Sequence, residues 1–451
     1  MDIIIAGTGK TGLTLARQLI AEGHDLTLID TDARVLESAL ERYDAMAVCG
    51  NCASMETLLQ AGVRKADLLI AATDADEVNL LCCMTAHGIS KTIHTIARIR
   101  RPEYAEQVMT MPDIFPLSLT VNPEKRAAME IERLLKYPGF LRRDTFAKGR
   151  VEIVELRIDG QSKLKDVSLI EMSSITKCRV LVCAVLRDGA AVAPSGDFVL
   201  RSGDRIFVTA PTADLTVLLK NLGIITRRVH SVLICGGGRV SFYLAKLLED
   251  DNMSVKILDR DYARCKQLAE LLPEADVIHG DCSSQQILEN QGIREADAVA
   301  CLTGMDETNI ITALYANKLA VPQVVTKVSR GENSIADTLP LGSVICPKEL
   351  CSNDIVRYVR AMQNQTGAAI SLHTIADGQV EAVEFSVDSS TKNRDLPLKK
   401  LKLRKNVLIA SITHGASTEI PNGDSVFTEG DTVVVVTSGR GVLKQINDIF
   451  A

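Results

Sequence analysis

The sequence predicts an α/β protein in which two doubly wound, parallel-sheet domains are each followed by a small α+β subdomain. Three observations support this fold class. The chain repeats itself, the first part of each repeat alternates short apolar strands with amphipathic helices, and the second part consists of strands separated by glycine turns. Regular alternation of strands and helices is typical of a parallel sheet covered by helices on both faces, whereas closely spaced strands with turn signals indicate antiparallel pairing.

The repeat is clear from short matching segments. The segment IIIAGTG at 3–9 returns as VLICGGG at 232–238, a shift of 229 positions (232 − 3). The same shift takes LID at 28–30 onto ILD at 257–259, and near the end of each half PSGD at 194–197 matches PNGD at 421–424. Self-similarity on this scale indicates a tandem duplication. We therefore divide the chain into a large domain, a connecting helix and a small subdomain in each half, with boundaries at 1–121, 122–140, 141–225, 229–345, 346–367 and 368–451.

The elements of the first half follow from periodicity. Strands are predicted at 3–6, 25–29, 47–49, 68–72 and 92–97, and helices at 13–22 and 55–61. The connecting helix is predicted to contain the amphipathic segment 127–135, because Pro123 suits a first helical position and Pro138 a stop. Its counterpart is 347–362. The small subdomain has predicted strands at 151–158, 180–186 and 205–209, followed by a helix at 212–221.

Composition excludes several classes of protein. The 451 residues are 46% hydrophobic and carry a net charge of −6, which is typical of a globular protein and argues against a nucleic-acid binder. No apolar run approaches the roughly 20 residues of a membrane span, and the N-terminus lacks a basic leader, so we expect a cytosolic chain. The 12 cysteines are expected to be reduced thiols. The pair Cys49-x-x-Cys52 has no partner pair at zinc spacing, which favours loop or core thiols over a metal or redox site.

A glycine loop follows the first predicted strand. Gly7-x-Gly9-x-x-Gly12 lies between this strand and the next helix, which is the context of a dinucleotide-binding, Rossmann-like domain. Such glycines let backbone amides approach a pyrophosphate at a helix N-terminus. Asp30 ends the second strand, where a carboxylate accepts the ribose hydroxyls and repels a 2′-phosphate, so NAD is favoured over NADP. A P-loop is disfavoured because position 4, where it would need a glycine, is Ile4.

The second half departs from this pattern at one position. Gly236 and Gly238 are kept, but Ser241 stands where the third glycine is expected. Asp259 ends the second strand of this half, as Asp30 does in the first. We therefore expect nucleotide binding here as well, of the same or of a different nucleotide.

The combined motifs resemble those of the RCK family, also called KTN, whose domains regulate conductance in potassium channels and transporters. The resemblance covers nearly the whole chain. It rests on the glycine loop, Asp30, Gly50-Asn51-Cys52, Ala72-Thr73-Asp74 with Asn79, Ile96-Ala97-Arg98, the connecting helix (the crossover helix of the family), and the small-subdomain stretches Asp166-Val-x-Leu169 and Asp395-Leu-x-Leu398. It implies Rossmann-like domains, each followed by an RCK C-terminal subdomain.

The resemblance also implies cofactor-binding residues. In the first half, the loop would wrap the pyrophosphate, Asp30 would hold the ribose and Arg98 would face phosphate. The implied positions of the first half are Gly7, Thr8, Gly9, Lys10, Thr11, Asp30, Asn51, Cys52, Thr73, Asp74 and Arg98. Those of the second are Gly236, Gly237, Gly238, Arg239, Val240, Asp259, Asp281, Cys282, Thr303, Gly304 and Lys327. Lys327 in place of Arg98 keeps the charge and loses the planar fork, and Gly304 replaces Asp74, so unequal sites are expected.

Two complete RCK units in one chain are the arrangement of the peripheral subunit of Trk-type potassium uptake systems. The resemblance therefore implies a regulatory subunit without catalytic turnover, which binds NAD+ or NADH, or ATP and ADP, at the inner face of the membrane. Four chains would form a ring of eight units beneath a Trk-type membrane subunit. The alternative is an NAD-dependent oxidoreductase, which is disfavoured because 141–225 contains no histidine to serve as a catalytic acid or base. The basic run at 399–405 is interpreted as a solvated rim rather than a membrane-binding patch.

Overall fold

We analysed a computed structural model of the full chain, which describes all residues except 137–139, 225–227, 330–338, 363–368, 377, 439–442 and 444. The chain divides into two compact units, residues 1–128 with 346–356, and residues 129–345 with 357–451. Within the described ranges, every helix is too short or too polar to cross a bilayer.

The first half begins with a six-stranded sheet in the order β3-β2-β1-β4-β5-β6, in which all neighbouring strands are parallel. Its central strand contains Ile3, Ile4 and Ile5, which are all buried, as expected for a strand covered by helices on both faces. The elements are β1 (Asp2–Ala6), α1 (Lys10–Ala21), β2 (Asp25–Asp30), α2 (Ala33–Leu40), β3 (Met46–Cys49), α3 (Met55–Gln60), β4 (Leu68–Ala71), α4 (Asp76–Ile89), β5 (His94–Arg98), α5 (Pro102–Thr110), β6 (Leu119–Val121) and the connecting helix α6 (Pro123–Lys136).

The first small subdomain is an antiparallel sheet in the order β10-β9-β11-β8-β7 with two helices. Helix α7 begins with a capping box, in which Ser168 and Glu171 satisfy each other's backbone amides, and α8 ends at the left-handed Gly223. The elements are β7 (Arg142–Phe146), β8 (Val151–Arg157), α7 (Leu169–Thr176), β9 (Leu181–Arg187), β10 (Ala190–Val192), β11 (Arg205–Pro211) and α8 (Leu215–Leu222).

The second large domain repeats the parallel topology, with strand order β14-β13-β12-β15-β16-β17. It is followed by the second connecting helix and by an antiparallel sheet in the order β18-β19-β22-β20-β21. The elements are β12 (Ser231–Cys235), α9 (Arg239–Asp250), β13 (Ser254–Asp259), α10 (Tyr262–Leu271), β14 (Asp276–His279), α11 (Gln285–Asn290), β15 (Ala298–Cys301), α12 (Asp306–Lys318), β16 (Gln323–Lys327), β17 (Ser343–Ile345), α13 (Pro347–Met362), β18 (Ala369–Ile375), β19 (Val380–Ser386), β20 (Val407–His414), β21 (Ser417–Glu419) and β22 (Thr432–Thr437).

The predicted fold class is confirmed. The strands predicted at 3–6, 25–29, 47–49 and 68–72 agree with β1 to β4 to within one residue, and β5 begins two residues later than predicted. The first connecting helix begins at Pro123, where the sequence predicted a first helical position, and the Asn122 side chain caps it by accepting a hydrogen bond from the Lys125 amide (2.8 Å). The predicted stop at 137–139 lies outside the described residues. The boundaries of the six segments stay a prediction.

Helices α2, α4 and α5 of the first half were not predicted. Helix α4 places Cys82, Cys83 and Ala86 in the core, and these small side chains give little contrast with their neighbours. All 12 cysteines are free thiols; Cys52 is buried and Cys49 is exposed. Within the described ranges, no group of three or more ligand side chains is arranged to hold a metal ion.

Candidate nucleotide-binding sites

Close packing within the protein requires glycine at two positions of the first loop, Gly7 and Gly12. Gly7 has a φ of +95°, and a Cβ at this position would lie 2.8 Å from the Thr73 amide nitrogen. A Cβ at Gly12 would lie 2.0 Å from the Gly7 carbonyl oxygen, so only glycine fits here without a shift of the backbone. Gly9 is different, since a Cβ there would meet nothing within 4 Å. The open side of the loop is therefore at Gly9, at the N-terminus of α1.

Asp30 is held against this loop. One carboxylate oxygen accepts hydrogen bonds from the Thr8 amide and the Thr8 hydroxyl, both at 2.7 Å, and the other accepts one from the Asp32 amide at 3.1 Å. Burial opposes ionisation of this carboxyl, but the hydrogen bonds from Thr8 and Asp32 are stronger in sum and lower the pKa of Asp30 below its usual value. Asp30 is therefore a charged acceptor at neutral pH, in the place where a ribose would lie.

Arg98 connects the loop to the end of the fourth strand. Its guanidinium donates to the Thr11 hydroxyl (3.2 Å), to the Thr73 carbonyl (2.5 Å) and to the Asp74 carboxylate (3.0 Å). The residue is only 7% exposed, and its buried Nε has no hydrogen-bond partner among the residues that the structure describes. A cation held at the N-terminus of α1 with unused donor capacity suits an anionic ligand.

In both halves, a buried asparagine holds together the ends of the fourth and fifth strands. The Asn79 side chain accepts hydrogen bonds from the Thr73 amide (2.8 Å) and hydroxyl (2.7 Å), and donates to the Arg98 carbonyl (2.9 Å). Asn309 makes the same three bonds to Thr303 and to the Lys327 carbonyl (2.8, 2.7 and 3.0 Å). Each asparagine therefore ties the turn after the fourth strand to the end of the fifth.

In the second loop, a serine whose hydroxyl group is hydrogen-bonded to the loop occupies the position of the third glycine. Gly236 again has a positive φ, of +103°, and Gly238 again faces open space. Ser241 stands where Gly12 stands in the first half, is fully buried, and donates from its hydroxyl to the Gly236 carbonyl (2.5 Å). The Asp259 carboxylate accepts hydrogen bonds from the Gly237 amide (2.5 Å) and from the Asp261 amide (2.8 Å). The second loop and its carboxylate thus keep the arrangement of the first.

The second half has three side chains near its carboxylate that the sequence analysis did not single out. Tyr262 is 70% exposed, and its ring meets that of His279 edge to face, with centroids 5.6 Å apart. Arg264 donates from Nε to the Gly237 carbonyl (2.7 Å). The corresponding residues in the first half are Ala33, Val35 and Cys49. The only signal in the sequence is this contrast between aligned positions, because no general motif covers them.

The second half lacks two of the side chains that Arg98 contacts in the first half. Val240 replaces Thr11 and offers no hydroxyl group, and Gly304 replaces Asp74 and offers no carboxylate. Lys327 occupies the position of Arg98 at the end of its strand and is half-buried. The two candidate sites therefore differ in the side chains at the ends of their fourth and fifth strands.

The remaining predicted residues fall into two groups. Asn51 and Asp281 are exposed and cap equivalent turns, accepting hydrogen bonds from the Ala53 amide (3.0 Å) and the Ser283 amide (2.8 Å). Lys10 and Arg239 are exposed at the first position of their helices. In contrast, the structure buries the Cys52 and Cys282 side chains, which are 5% and 6% exposed, so they do not form part of the surface at either loop.

Two family models match both the large domains and the small subdomains. The TrkA-N domain model matches residues 3–112 and 232–347, and the TrkA-C domain model matches residues 153–223 and 382–450. Two curated relatives align with the full chain. The Trk system potassium uptake protein TrkA of Vibrio alginolyticus is 29% identical (100% of this chain, 98% of the relative), and the TrkA homolog of Archaeoglobus fulgidus is 30% identical (100% of both).

Solved structures agree with this fold. The GsuK RCK domain superposes with a TM-score of 0.62 at 17% identity, covering 97% of this chain and 92% of that chain. The GsuK channel bound to NAD superposes with a TM-score of 0.60 at 18% identity, covering 97% and 76%. The chain thus has a tandem RCK fold, with two Rossmann-like domains that are each followed by a C-terminal subdomain. Within this class it belongs to the TrkA family.

Proposed function

We propose that this protein is a nucleotide-sensing regulatory subunit of a Trk-type potassium uptake system. The observation that carries the proposal is the pair of glycine loops, each with an open glycine (Gly9 or Gly238) beside a carboxylate bound to the loop amides. This arrangement occurs twice in a chain whose full-length relatives are named potassium uptake proteins. Those relatives are not named as enzymes, which agrees with the prediction of a protein without turnover.

The ligand class that we propose is NAD+ or NADH, with ATP or ADP as the other candidates. Asp30 and Asp259 would each hold an adenosine ribose, and the amides at the start of α1 and α9 would face the phosphates. At the first site, Arg98 would add its charge to the phosphate end. Solved structures of GsuK bound to NAD and to ADP support both ligand types within this fold.

Coupling to the membrane subunit would begin at α1, whose N-terminus forms part of the first site. The Gln18 side chain on this helix donates to Asn353 on α13 (3.2 Å), and Arg126 on α6 contacts Asp354 on α13 (3.1 Å). A nucleotide that binds one position of α1 more tightly than another would therefore act on the connecting helices. A ligand with equal affinity for both positions would shift nothing.

Assembly into a ring of four chains at the inner face of the membrane is part of the same proposal. Leu81 on α4 is 53% exposed, and its counterpart Ile311 on α12 is 62% exposed. Met109 and Ile114 are further large apolar side chains that are exposed in the first half. Large apolar side chains at equivalent exposed positions favour burial between chains. The membrane partner would be a Trk-type potassium channel subunit.

The first experiment is a calorimetric titration of the purified chain with NAD+, NADH, ATP and ADP, run with Asp30→Ala and Asp259→Ala. Saturable heat without NADH oxidation, reduced by one site in each variant, is the expected result. If no nucleotide gives heat, the glycine loops serve packing only and the sensing part of the proposal is wrong. If NADH is consumed, the oxidoreductase alternative replaces it.

The regulatory part is tested separately in vesicles that contain a Trk-type membrane subunit. Rubidium uptake is measured with and without the chain, and then with the nucleotide that binds. We expect the nucleotide to change uptake only when the chain is present, and the change to be reduced by Asp30→Ala. Uptake that is indifferent to the chain would contradict the regulatory role, whatever the titration shows.

A further inference from the structure

The two small antiparallel sheets of the chain share one hydrophobic core. Buried side chains of both sheets contribute to it, among them Phe146, Ile153, Phe207, Ile375, Ala382 and Val434. Each subdomain also has a separate core beneath its own helices or loops. The subdomains are therefore partners across a common interface as well as repeats of each other.

A single pair of residues identifies the local two-fold axis of this interface. Asp144 pairs with Ile153 across β7 and β8, and His373 pairs with Ala382 across β18 and β19. Both pairs of equivalent positions are separated by 229 residues (373 − 144 and 382 − 153), the shift of the repeat. The Asp144 Oδ1 atom lies 2.9 Å from His373 Nδ1. Two equivalent positions that touch each other lie on the axis, and here one is an acid and the other a base.

This contact is the buried centre of an ionic cluster. Both side chains are less than a tenth exposed. Arg142 Nε lies 2.9 Å from the second Asp144 oxygen, Arg357 Nη2 lies 3.5 Å from His373 Nε2, and the Phe146 ring meets the imidazole edge to face at 4.7 Å. Burial opposes the charge of Asp144, but Arg142 and His373 hold the pKa of that carboxyl well below its usual range.

Other contacts across the interface also differ between the two halves. Gln379 donates to the Gly189 carbonyl (2.7 Å) and accepts from the Ala191 amide (2.9 Å), whereas the equivalent Arg150 donates to the Gly415 carbonyl.

The glutamates of this interface differ in the same way. Glu384 accepts a hydrogen bond from the Ala147 amide (3.1 Å), whereas its equivalent Glu155 is held within its own sheet by Arg205 (2.5 Å). The interface is thus built from equivalent positions with complementary, not identical, residues.

We propose that the acid–base pair on this axis makes each small subdomain specific for the unlike subdomain, against which it packs in its own chain, and makes it discriminate against its like counterpart in a second copy. A symmetric pair of first subdomains would place two Asp144 carboxylates together on the axis, and a pair of second subdomains would place two His373 imidazoles there. Self-association on a two-fold axis requires a self-complementary patch. Two carboxylates repel each other at neutral pH, and two imidazoles, each beside an Arg357 guanidinium, repel each other when they are protonated. A ring of these chains is therefore joined through other surfaces. This inference does not depend on nucleotide binding.

Substitutions on the axis test the proposal in the full-length chain. His373→Asp reproduces the charge arrangement of a pair of first subdomains, and we expect it to lower Tm by about 5 °C or more. Asp144→His reproduces the other like pair, and the exchange D144H/H373D restores the contact and most of the Tm. Acidification from about pH 7.5 to about pH 5 should reduce the loss of Tm caused by His373→Asp, because two facing carboxyls can share a proton. The same change should increase the loss of Tm caused by Asp144→His, because both imidazoles then become charged. The control His373→Asn has no proton to gain and should show no such recovery.

A cross-link identifies the partner directly. A photoreactive benzophenone amino acid replaces the exposed Ala190, next to the turn that Gln379 contacts. We expect a product with the mass of one chain, linking this turn to the segment around 379, and a several-fold lower yield in His373→Asp. If co-expressed tagged and untagged chains are instead linked to each other from this turn to the segment around Arg150, the equivalent of Gln379, the proposal is wrong. It is also wrong if D144H/H373D is no more stable than His373→Asp.

Discussion

The two Rossmann-like domains have the same strand order but differ at both ends of their candidate sites. At the phosphate end, the first domain has the Thr11–Arg98–Asp74 bridge, which the second domain cannot form. At the adenosine end, the second domain has Tyr262 and His279, where the first has Ala33 and Cys49. Duplication has kept the loop and its carboxylate and has changed the residues around them. We infer that the first site favours phosphate contacts, whereas the second favours contacts with the base.

The largest expected effect on stability and binding concerns the loop position that is Gly12 in the first domain and Ser241 in the second. Gly12→Ala places a Cβ 2.0 Å from the Gly7 carbonyl, so the loop must move. We expect a loss of about 1–3 kcal/mol in stability and at least a tenfold loss of nucleotide affinity at the first site. Ser241→Ala is the matched control, since it removes one hydroxyl bond at a cost of about 1 kcal/mol and leaves the second loop in place. Calorimetry that finds unchanged binding in Gly12→Ala would contradict the role of this contact.

The next effect concerns the adenosine end of the second site. If the exposed Tyr262 ring stacks on a base, Tyr262→Ala removes about 1–3 kcal/mol of binding at this site alone, while Tyr262→Phe retains it. Site-resolved titration in an Asp30→Ala background measures the second site by itself. Equal affinities for Tyr262→Ala and the parent would show that the tyrosine does not face the ligand.

A smaller effect is expected for the cation at the end of the fifth strand. Arg98→Lys removes the planar fork that reaches Thr11, Thr73 and Asp74, and should weaken binding at the first site by about 1 kcal/mol. The reverse change, Lys327→Arg, should give no gain, because Val240 and Gly304 provide no partners for a fork. A gain in Lys327→Arg comparable to the loss in Arg98→Lys would show that the bridge does not matter and that the cation acts alone.

The smallest effect is a pH dependence of stability in the first domain. The folded-state pKa of Asp30 is lowered, so the carboxylate stabilises the fold above the ordinary aspartate pKa, and this contribution is lost as pH falls through the folded value. Unfolding curves between about pH 7 and about pH 3 should therefore show a shallower loss of stability in Asp30→Asn than in the parent. Thr8→Ala removes one of the donors and should lie between the two. If stability falls equally steeply with pH in all three chains, the lowered pKa of Asp30 does not contribute to stability.

Much of this protein could be predicted from its sequence. The apolar segment at Ile3, Ile4 and Ile5 is a buried central strand because a parallel sheet is covered on both faces, and the spacing of Gly7, Gly9 and Gly12 placed the loop correctly. The duplication predicted two copies of each domain. These features depend on residues close together in the chain, where periodicity and backbone freedom decide the conformation.

The pairings between distant residues were decided only by the tertiary structure. Tyr262 meets His279 because two parallel strands end side by side. Asp144 and His373 are 229 positions apart, and their alignment in the repeat shows that they are equivalent but not that they touch. The sequence alone determined which positions repeat. Which of them meet depends on how the sheets pack, because contacts across long separations arise from the collective burial of side chains and not from any local pattern.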